Sequence, residues 1–153
     1  MADIVDAATR SRMMSGIRGK DTKPELAVRR GLHRIGFRFR LHVKDLPGRP
    51  DLVLPRYRAV IFVNGCFWHG HDCNLFKWPK TRPEFWREKI EGNMKRDETK
   101  IAMLTNHGWR VATVWECTFK GADRLFQDRI IASIADWVTN GSQTFELRGA
   151  MHE

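Results

Sequence analysis

Cys66, His71 and Cys73 fall within one short stretch, VNGCFWHGHDC (63–73), and Cys117 closes an apolar run further along. Three sulfurs and an imidazole are a donor set for tetrahedral zinc. The spacing C-x4-H-x-C is not the common C-x2-C knuckle, so a second reading stands beside it, with Cys117 simply buried and His71 solvated. The chain has three cysteines, and an odd number without a signal peptide argues against a disulfide framework. A site closed by four protein ligands leaves no position for substrate, so such a zinc would be structural.

A second chemistry centres on Asp51. It follows Pro50 at the start of a short apolar run, and YRAVIFVNG comes next. An aspartate there, with a second strand beside it, is the skeleton of many metal-dependent nucleases, in which it holds Mg²⁺ against the scissile phosphate. A turn-ending aspartate is the plainer alternative. Such nucleases usually carry acid-x-lysine on the second strand, whereas this chain has Phe62, Val63 and Asn64. Another group must then handle the proton, and His69 is the nearest candidate because imidazole titrates near neutrality. His69 could equally be an outer loop residue or a rival zinc ligand. Glu25 fits the third helical position of a capping box, TKPE (22–25), with a role beside a metal-bound water as its other reading. Asp97 interrupts the apolar stripe of Ile90, Met94, Ile101 and Leu104 and must find a partner. His69 would serve, but an arginine is the expected one.

The net charge of +9 and pI near 10 suggest a polyanionic partner, nucleic acid before an anionic membrane surface. Lys89, Asn93, Arg96 and Lys100 share one face of a long predicted helix, with Trp86 on its border. Side chains of these types hold phosphates or read base edges, although a solvated helix face has the same composition. Phe67, Trp68 and Trp86, if exposed together, form a wedge that parts a base step. A weakly stacked or mispaired step opens more cheaply, so a wedge favours lesions. The alternative places these rings in the core.

The elements that must position these groups follow from periodicity and turn residues. Helices are predicted over 6–18, 22–36, 81–107 and 121–138, the long one opened by a second capping box, TRPE (81–84). Strands are predicted at FRFRLHV (37–43), DLVLP (51–55), YRAVIFV (57–63) and WRVATVWE (109–116). The chain from Thr139 onward is predicted to be loose. This order gives a single α/β domain, one mixed sheet with helices on its faces. No apolar run reaches the roughly 18–20 residues a membrane span needs, and the start lacks a signal-peptide core. A cytoplasmic protein is expected.

The stretches ATRSRMM (8–14), LPGRPDLV (46–53), VIFVNGCFWHGHDC (60–73), FKWPKTRPEFWREKIEGN (76–93) and GWRVATVWEC (108–117) occur in an order that resembles the very short patch repair endonucleases, the Vsr family of bacterial mismatch nickases. The resemblance implies a restriction-endonuclease-like fold of the PD-(D/E)xK type with a structural zinc. The domain would span 1–138, including an N-terminal DNA-binding helix, with 139–153 as a tail. It also implies hydrolysis of one DNA strand 5′ of a thymine mispaired with guanine, the product of 5-methylcytosine deamination, typically within CT(A/T)GG. The partners implied are duplex DNA with a T:G mismatch, mismatch-repair proteins and, functionally, a DNA cytosine methyltransferase. A nucleoid-associated monomer suffices.

Carried over by position, Asp51 and the main-chain carbonyl of Val63 would bind Mg²⁺. His69 would be the general base and Glu25 would support the metal-water shell. Cys66, His71, Cys73 and Cys117 would hold zinc. Phe67, Trp68 and Trp86 would wedge from the major groove, with Met14 and Ile17 in the minor groove, and Lys89 and Asn93 would read the mispair. One departure stands out: the best-known relatives have histidine where this chain has Asn64. Two readings remain beside this one, a restriction-type nuclease of other specificity and a zinc-stapled module that binds lesions without cutting.

Overall fold

A computed structural model describes residues 22–150. The predicted helix over 6–18, with Met14 and Ile17, lies outside the described residues. Helix α1 (Lys23–Arg34) starts where TKPE predicts it, with Oγ1 of Thr22 accepting the Glu25 N–H at 3.3 Å. It ends two residues before Gly36, whose φ of +107° lets the chain reverse.

Strands β1 (Arg40–Leu41), β2 (Leu52–Leu54) and β3 (Ala59–Asn64) follow, then the long helix α2 (Pro83–Asn106), β4 (Arg110–Trp115), helix α3 (Gln127–Asn140) and β5 (Thr144–Leu147). The sheet order is β1-β2-β3-β4-β5. The first three strands run antiparallel, and β3, β4 and β5 run parallel.

Alternation along the strands builds two cores. Ala59 and Ile61 of β3 and Ala112 and Val114 of β4 join Val28 and Leu32 of α1 and Ile130, Ile134 and Trp137 of α3. Val60, Phe62 and Val111 point the other way, towards Leu104 of α2. Three layers result, with α1 and α3 on one face of the sheet and α2 on the other. Gly31 permits a close approach of α1 and α3: a Cβ there would lie 2.4 Å from Cδ1 of Ile131. Among the described residues no helix is long and apolar enough to cross a membrane.

Four expectations need correction. FRFRLHV pairs only through Arg40 and Leu41, because His42 turns into the left-handed region at φ 49° and ends the ladder. Thr81 does not cap α2. The N-cap is Arg82, itself left-handed, and Pro83 with its preset φ opens the helix. The last helix begins at Gln127 rather than 121, since Gly121 turns at φ +89° and the chain loops back to place the Leu125 N–H on the Thr118 carbonyl at 2.7 Å. The chain after 139 is not loose throughout. Thr144–Leu147 pairs with β4 from Val111↔Thr144 to Val114↔Leu147, and Phe145 and Leu147 pack on the core.

The Gly31 contact is testable. Gly31→Val should cost about 1–3 kcal/mol through overpacking between α1 and α3, read as a lowered urea midpoint. An unchanged midpoint would mean the helices do not pack this closely.

Candidate active site and metal cluster

The turn LPGRP brings Asp51 to the start of β2, beside the end of β3. Its Oδ2 accepts the Val63 N–H at 2.7 Å, and its main-chain carbonyl accepts the His42 N–H at 3.2 Å. Glu25, 2% exposed, comes from the first turn of α1. The backbone half of the capping box forms, but the carboxylate turns inward: Oε2 lies 2.8 Å from Nε2 of His42 and 3.3 Å from Nη1 of Arg29. Glu25, His42 and Asp51 each offer a ligand atom, all within 4.8 Å of one another. Burial and the neighbouring Glu25 carboxylate push Asp51 up to about 6, against the lowering pull of the Val63 N–H, His42 and Lys100. Two carboxylates crowded out of water in this way are stabilised by a proton or a cation.

His69 stands on the loop after β3. Its Nδ1 is 2.6 Å from Oδ2 of Asp97 on α2, and Nζ of Lys100 is 3.0 Å from Oδ1 of the same carboxylate. Asp97 therefore pairs with a histidine and a lysine, not the expected arginine. Burial works to raise the Asp97 pKa, but the His69 hydrogen bond and charge and the Lys100 ammonium outweigh it and hold the carboxyl below its usual range. Lys100, expected on the outer face of the helix, instead lies over the Phe62 ring, 4.0 Å from its centroid. A histidine whose Nδ1 faces a carboxylate keeps Nε2 as the nitrogen that can accept a proton. The same loop seats on α2 through Gly70, at φ +61°. A Cβ there would meet the Met94 sulfur at 2.6 Å and Cγ2 of Ile90 at 2.9 Å.

Cys66, His71, Cys73 and Cys117 converge at the base of the loop. Nδ1 of His71 lies 3.5 Å from the Cys66 sulfur and 3.6 Å from that of Cys117. Those are the edges of a tetrahedron about one ion with bonds of roughly 2.0–2.3 Å, whose S–N edge is about 3.6 Å. The Cys117 N–H donates to the Cys66 sulfur and the Gly149 N–H to that of Cys117, both at 3.3 Å. Burial pushes the Cys66 and Cys117 thiols up and the His71 imidazole down. The imidazole is thus in its metal-binding neutral form, and the sulfurs need a cation to shed their protons. The cluster can hold a metal ion. His71 also stacks on Trp115, centroids 3.9 Å apart and 5° from parallel.

Phe67, Trp68 and Trp86 do come together. Their centroids lie 5.2, 5.4 and 5.8 Å apart in the three pairs, and all three rings are half-buried rather than in the core. Phe76 at 5.9 Å from Phe67, Trp78 beyond it and Phe85 beside Trp86 widen the cluster. Nδ2 of Asn93 donates to the Trp68 carbonyl at 2.8 Å, and Arg96 bonds the Asn93 side-chain oxygen. Asn93 thus braces the aromatic loop. Lys89, half-buried, stands one turn along α2 from Trp86. A cavity of about 650 Å³ opens between Thr22 and Pro24 on one side and Asn64, Trp68, His69 and Asn93 on the other. Asn64 is buried at the end of β3. No spacing rule relates His42 to Asp51, and only its place next to a proline-glycine turn hints at their proximity.

Two outcomes follow from this geometry. Metal analysis of the purified protein should find about one ion per chain in the cysteine cluster, lost with a fall in Tm in Cys73→Ser. A metal-free, stably folded protein would sink that assignment. The second concerns pH. Because Asp51 is lifted from 3.8 to about 6 in the fold, its stabilising contribution is complete below 3.8 and lost as pH rises through about 6. With no added divalent cation, Asp51→Asn should therefore be more stable than wild type near about pH 8 by on the order of 1–3 kcal/mol. The gap should close on acidification, and denaturation curves that stay parallel across pH would contradict the burial argument.

Residues 2–75 match the family described as DNA mismatch endonuclease Vsr. The chain is 54% identical over 117 residues to the type II nicking enzyme V.XorIIP of Xanthomonas oryzae pv. oryzae, covering 76% of this chain and 86% of that protein. It is 46% identical over 138 residues to the DNA mismatch endonuclease Vsr of Escherichia coli, covering 90% and 88%. Over 142 residues it is 42% identical to the type II nicking enzyme V.NmeAIP of Neisseria meningitidis, covering 90% of this chain and 100% of that one. Identity of this extent over 90% of the chain places it in the Vsr family of DNA mismatch endonucleases.

Proposed function

We propose that this protein is a Mg²⁺-dependent DNA endonuclease that nicks one strand 5′ of the thymine in a T:G mispair left by 5-methylcytosine deamination, and so starts very short patch repair. Its relatives are named as nicking and mismatch endonucleases, which supports the nicking of DNA. The observation that carries the finer reading is the loop 65–73. It bears Phe67 and Trp68 at the half-buried aromatic cluster and His69 against Asp97, and it is gathered at its base by the Cys/His set.

Each residue has a role that its surroundings support. Asp51 and the carbonyl of Val63 would hold Mg²⁺. A residue in an extended strand turns its N–H and C=O to the same neighbour, and the Val63 N–H is already on Asp51. Glu25, a buried second carboxylate, would orient the metal's water. When bound, Mg²⁺ would offset charge on the phosphate and acidify water. His69, its Nδ1 held by Asp97, would take the proton at Nε2. Asn64 cannot carry charge near neutrality and would contribute at most a hydrogen bond.

The edge lengths at Cys66, His71, Cys73 and Cys117 fit zinc, and a set of four protein ligands fits a structural role. The antiparallel pair β2–β3 with Asp51 at its start, followed by parallel β4, supports a restriction-endonuclease-like fold. The continuous sheet supports one domain that takes in part of the segment after 138.

Phe67, Trp68 and Trp86 would enter the major groove, with Met14 and Ile17 opposite them and Lys89 and Asn93 at the mispair. Opening a step costs a few kcal/mol, less where pairing is already faulty. The net charge of +9 would draw the protein to DNA phosphates from any direction. A single chain cutting one strand needs no second copy. The substrate's origin implies a DNA cytosine methyltransferase in the same cell, and mismatch-repair proteins are the natural handlers of the nicked product.

The test is one strand-labelled duplex made with T:G and with T:A, incubated with Mg²⁺ and with EDTA and run on a denaturing gel. A single Mg²⁺-dependent cut 5′ of the mispaired T, absent from the matched duplex and lost in Asp51→Ala while binding persists, is expected. Cutting of both duplexes would favour a restriction-type nuclease. Binding to the mismatch with no cleavage in any context would favour a lesion-binding module.

A further inference from the structure

We propose that His42 is a metal ligand, so that Glu25, His42 and Asp51 form one cation site whose imidazole nitrogen favours a first-row transition ion, Mn²⁺ or Co²⁺, over Mg²⁺. The proposal rests on the reading of Asp51 as the metal carboxylate and extends it twice: Glu25 becomes a direct ligand rather than a holder of the metal's water, and His42, with no assigned part, joins it.

Three observations carry it. First, the ligand atoms of these three side chains lie within 4.8 Å of one another, and Nε2 of His42 is 2.8 Å from Oε2 of Glu25. Adjacent ligands of an octahedral ion with bonds near 2.1 Å stand about 3 Å apart, so the His42–Glu25 pair already has the spacing of neighbouring ligands. Second, the main chain holds the imidazole in place. The His42 N–H is bonded to the carbonyl of Asp51, so ring and carboxylate spring from two backbones tied directly together. Third, Glu25 is almost wholly buried, and a carboxylate oxygen of it lies within 4.8 Å of one of Asp51. A buried and a half-buried carboxylate with an imidazole nitrogen beside them are a ligand set.

The donor types decide the ion. Mg²⁺ favours oxygen ligands and keeps most of its waters. Imidazole raises affinity along the series from Mn²⁺ through Co²⁺, while the two carboxylates keep the site hard enough for Mn²⁺. The competing account makes His42 only a hydrogen-bond partner of Glu25. Glutamine separates the two, because its amide can donate to Glu25 but offers no ring nitrogen.

The experiment titrates Mn²⁺ and Co²⁺ into the full chain with its cysteine cluster loaded, following free Mn²⁺ by electron paramagnetic resonance and Co²⁺ by its visible absorption, and reads Mg²⁺ affinity from its displacement of bound Mn²⁺. Wild type should bind Mn²⁺ at least about tenfold more tightly than Mg²⁺, and His42→Gln should lose most of that preference with Mg²⁺ affinity little changed. Asp51→Ala should abolish binding of both ions and so locate the site. Circular dichroism would establish that His42→Gln is folded. Equal binding of Mn²⁺ and Mg²⁺ by wild type, an unchanged preference in His42→Gln, or Mn²⁺ retained by Asp51→Ala would each overturn the proposal. The same preparations assayed on the T:G duplex keep the two readings apart. Nicking with no His42-dependent preference sinks the ligand and leaves the nickase. His42-dependent Mn²⁺ binding without cleavage of any duplex sinks the nickase and leaves the site.

Discussion

Residues 65–73 pair with no strand and are held locally only by turn hydrogen bonds, such as those from His69 to Gly65 and from His71 to Cys66. A segment of that kind carrying two aromatic rings and a catalytic candidate would ordinarily sample many conformations. The convergence of Cys66, His71 and Cys73 on Cys117 removes that freedom at both ends of the loop. The Cys66 N–H adds a bond to Oε1 of Glu116 at 3.2 Å, and His71 is pressed flat against Trp115. Further along, Gly70 seats the loop on Ile90 and Met94, and Asn93 grips the Trp68 carbonyl. The loop is therefore anchored to β4 and its following turn on one side and to α2 on the other. What Phe67, Trp68 and His69 do depends on those anchors.

At the start of β2 the governing quantity is charge. A chain with net charge +9 nevertheless gathers Glu25 and Asp51 in a half-dry corner and raises the Asp51 pKa to about 6. Left without a cation, that corner works against the fold. Functional sites commonly hold such local costs, which the rest of the structure offsets. Here the offset comes from two apolar layers on the faces of one sheet, and from the Val63 N–H and the His42 ring, which stabilise the charged carboxylates. Asp97 is the contrasting case. His69 and Lys100 hold its pKa below the usual carboxylate range despite burial.

The C-terminal segment joins the two themes. Strand β5 covers the open edge of β4. Beyond it Arg148 bonds both the side chain and the carbonyl of Asp72 at 2.8 Å, while Gly149 donates to the Cys117 sulfur. The last strand thus closes the sheet and covers the cysteine cluster from outside. Glu146 of the same strand takes the Trp115 indole N–H at 2.7 Å, and Trp115 in turn is the surface on which His71 stacks.

Local chemistry made much of this legible in advance. TKPE placed the start of α1, and the apolar runs around Val60 and Val111 marked the two central strands. The three cysteines with His71 named the metal cluster, and PGRPD picked out Asp51, because capping, β-branched runs and donor types are properties of neighbouring residues. Thr144–Leu147 also alternates apolar and polar residues, but four residues are too few to distinguish a strand from chance until β4 offers an edge. His42, the Asp97–His69 pair and the double duty of Glu25 were decided by tertiary structure alone. Each joins residues from separate elements, brought together only by the order of the strands and the crossing of α1 and α2 over the sheet. A sequence specifies which groups can ligate, stack or carry protons, since that is covalent chemistry. Which of them meet is set by the packing of distant segments, and no local spacing records it.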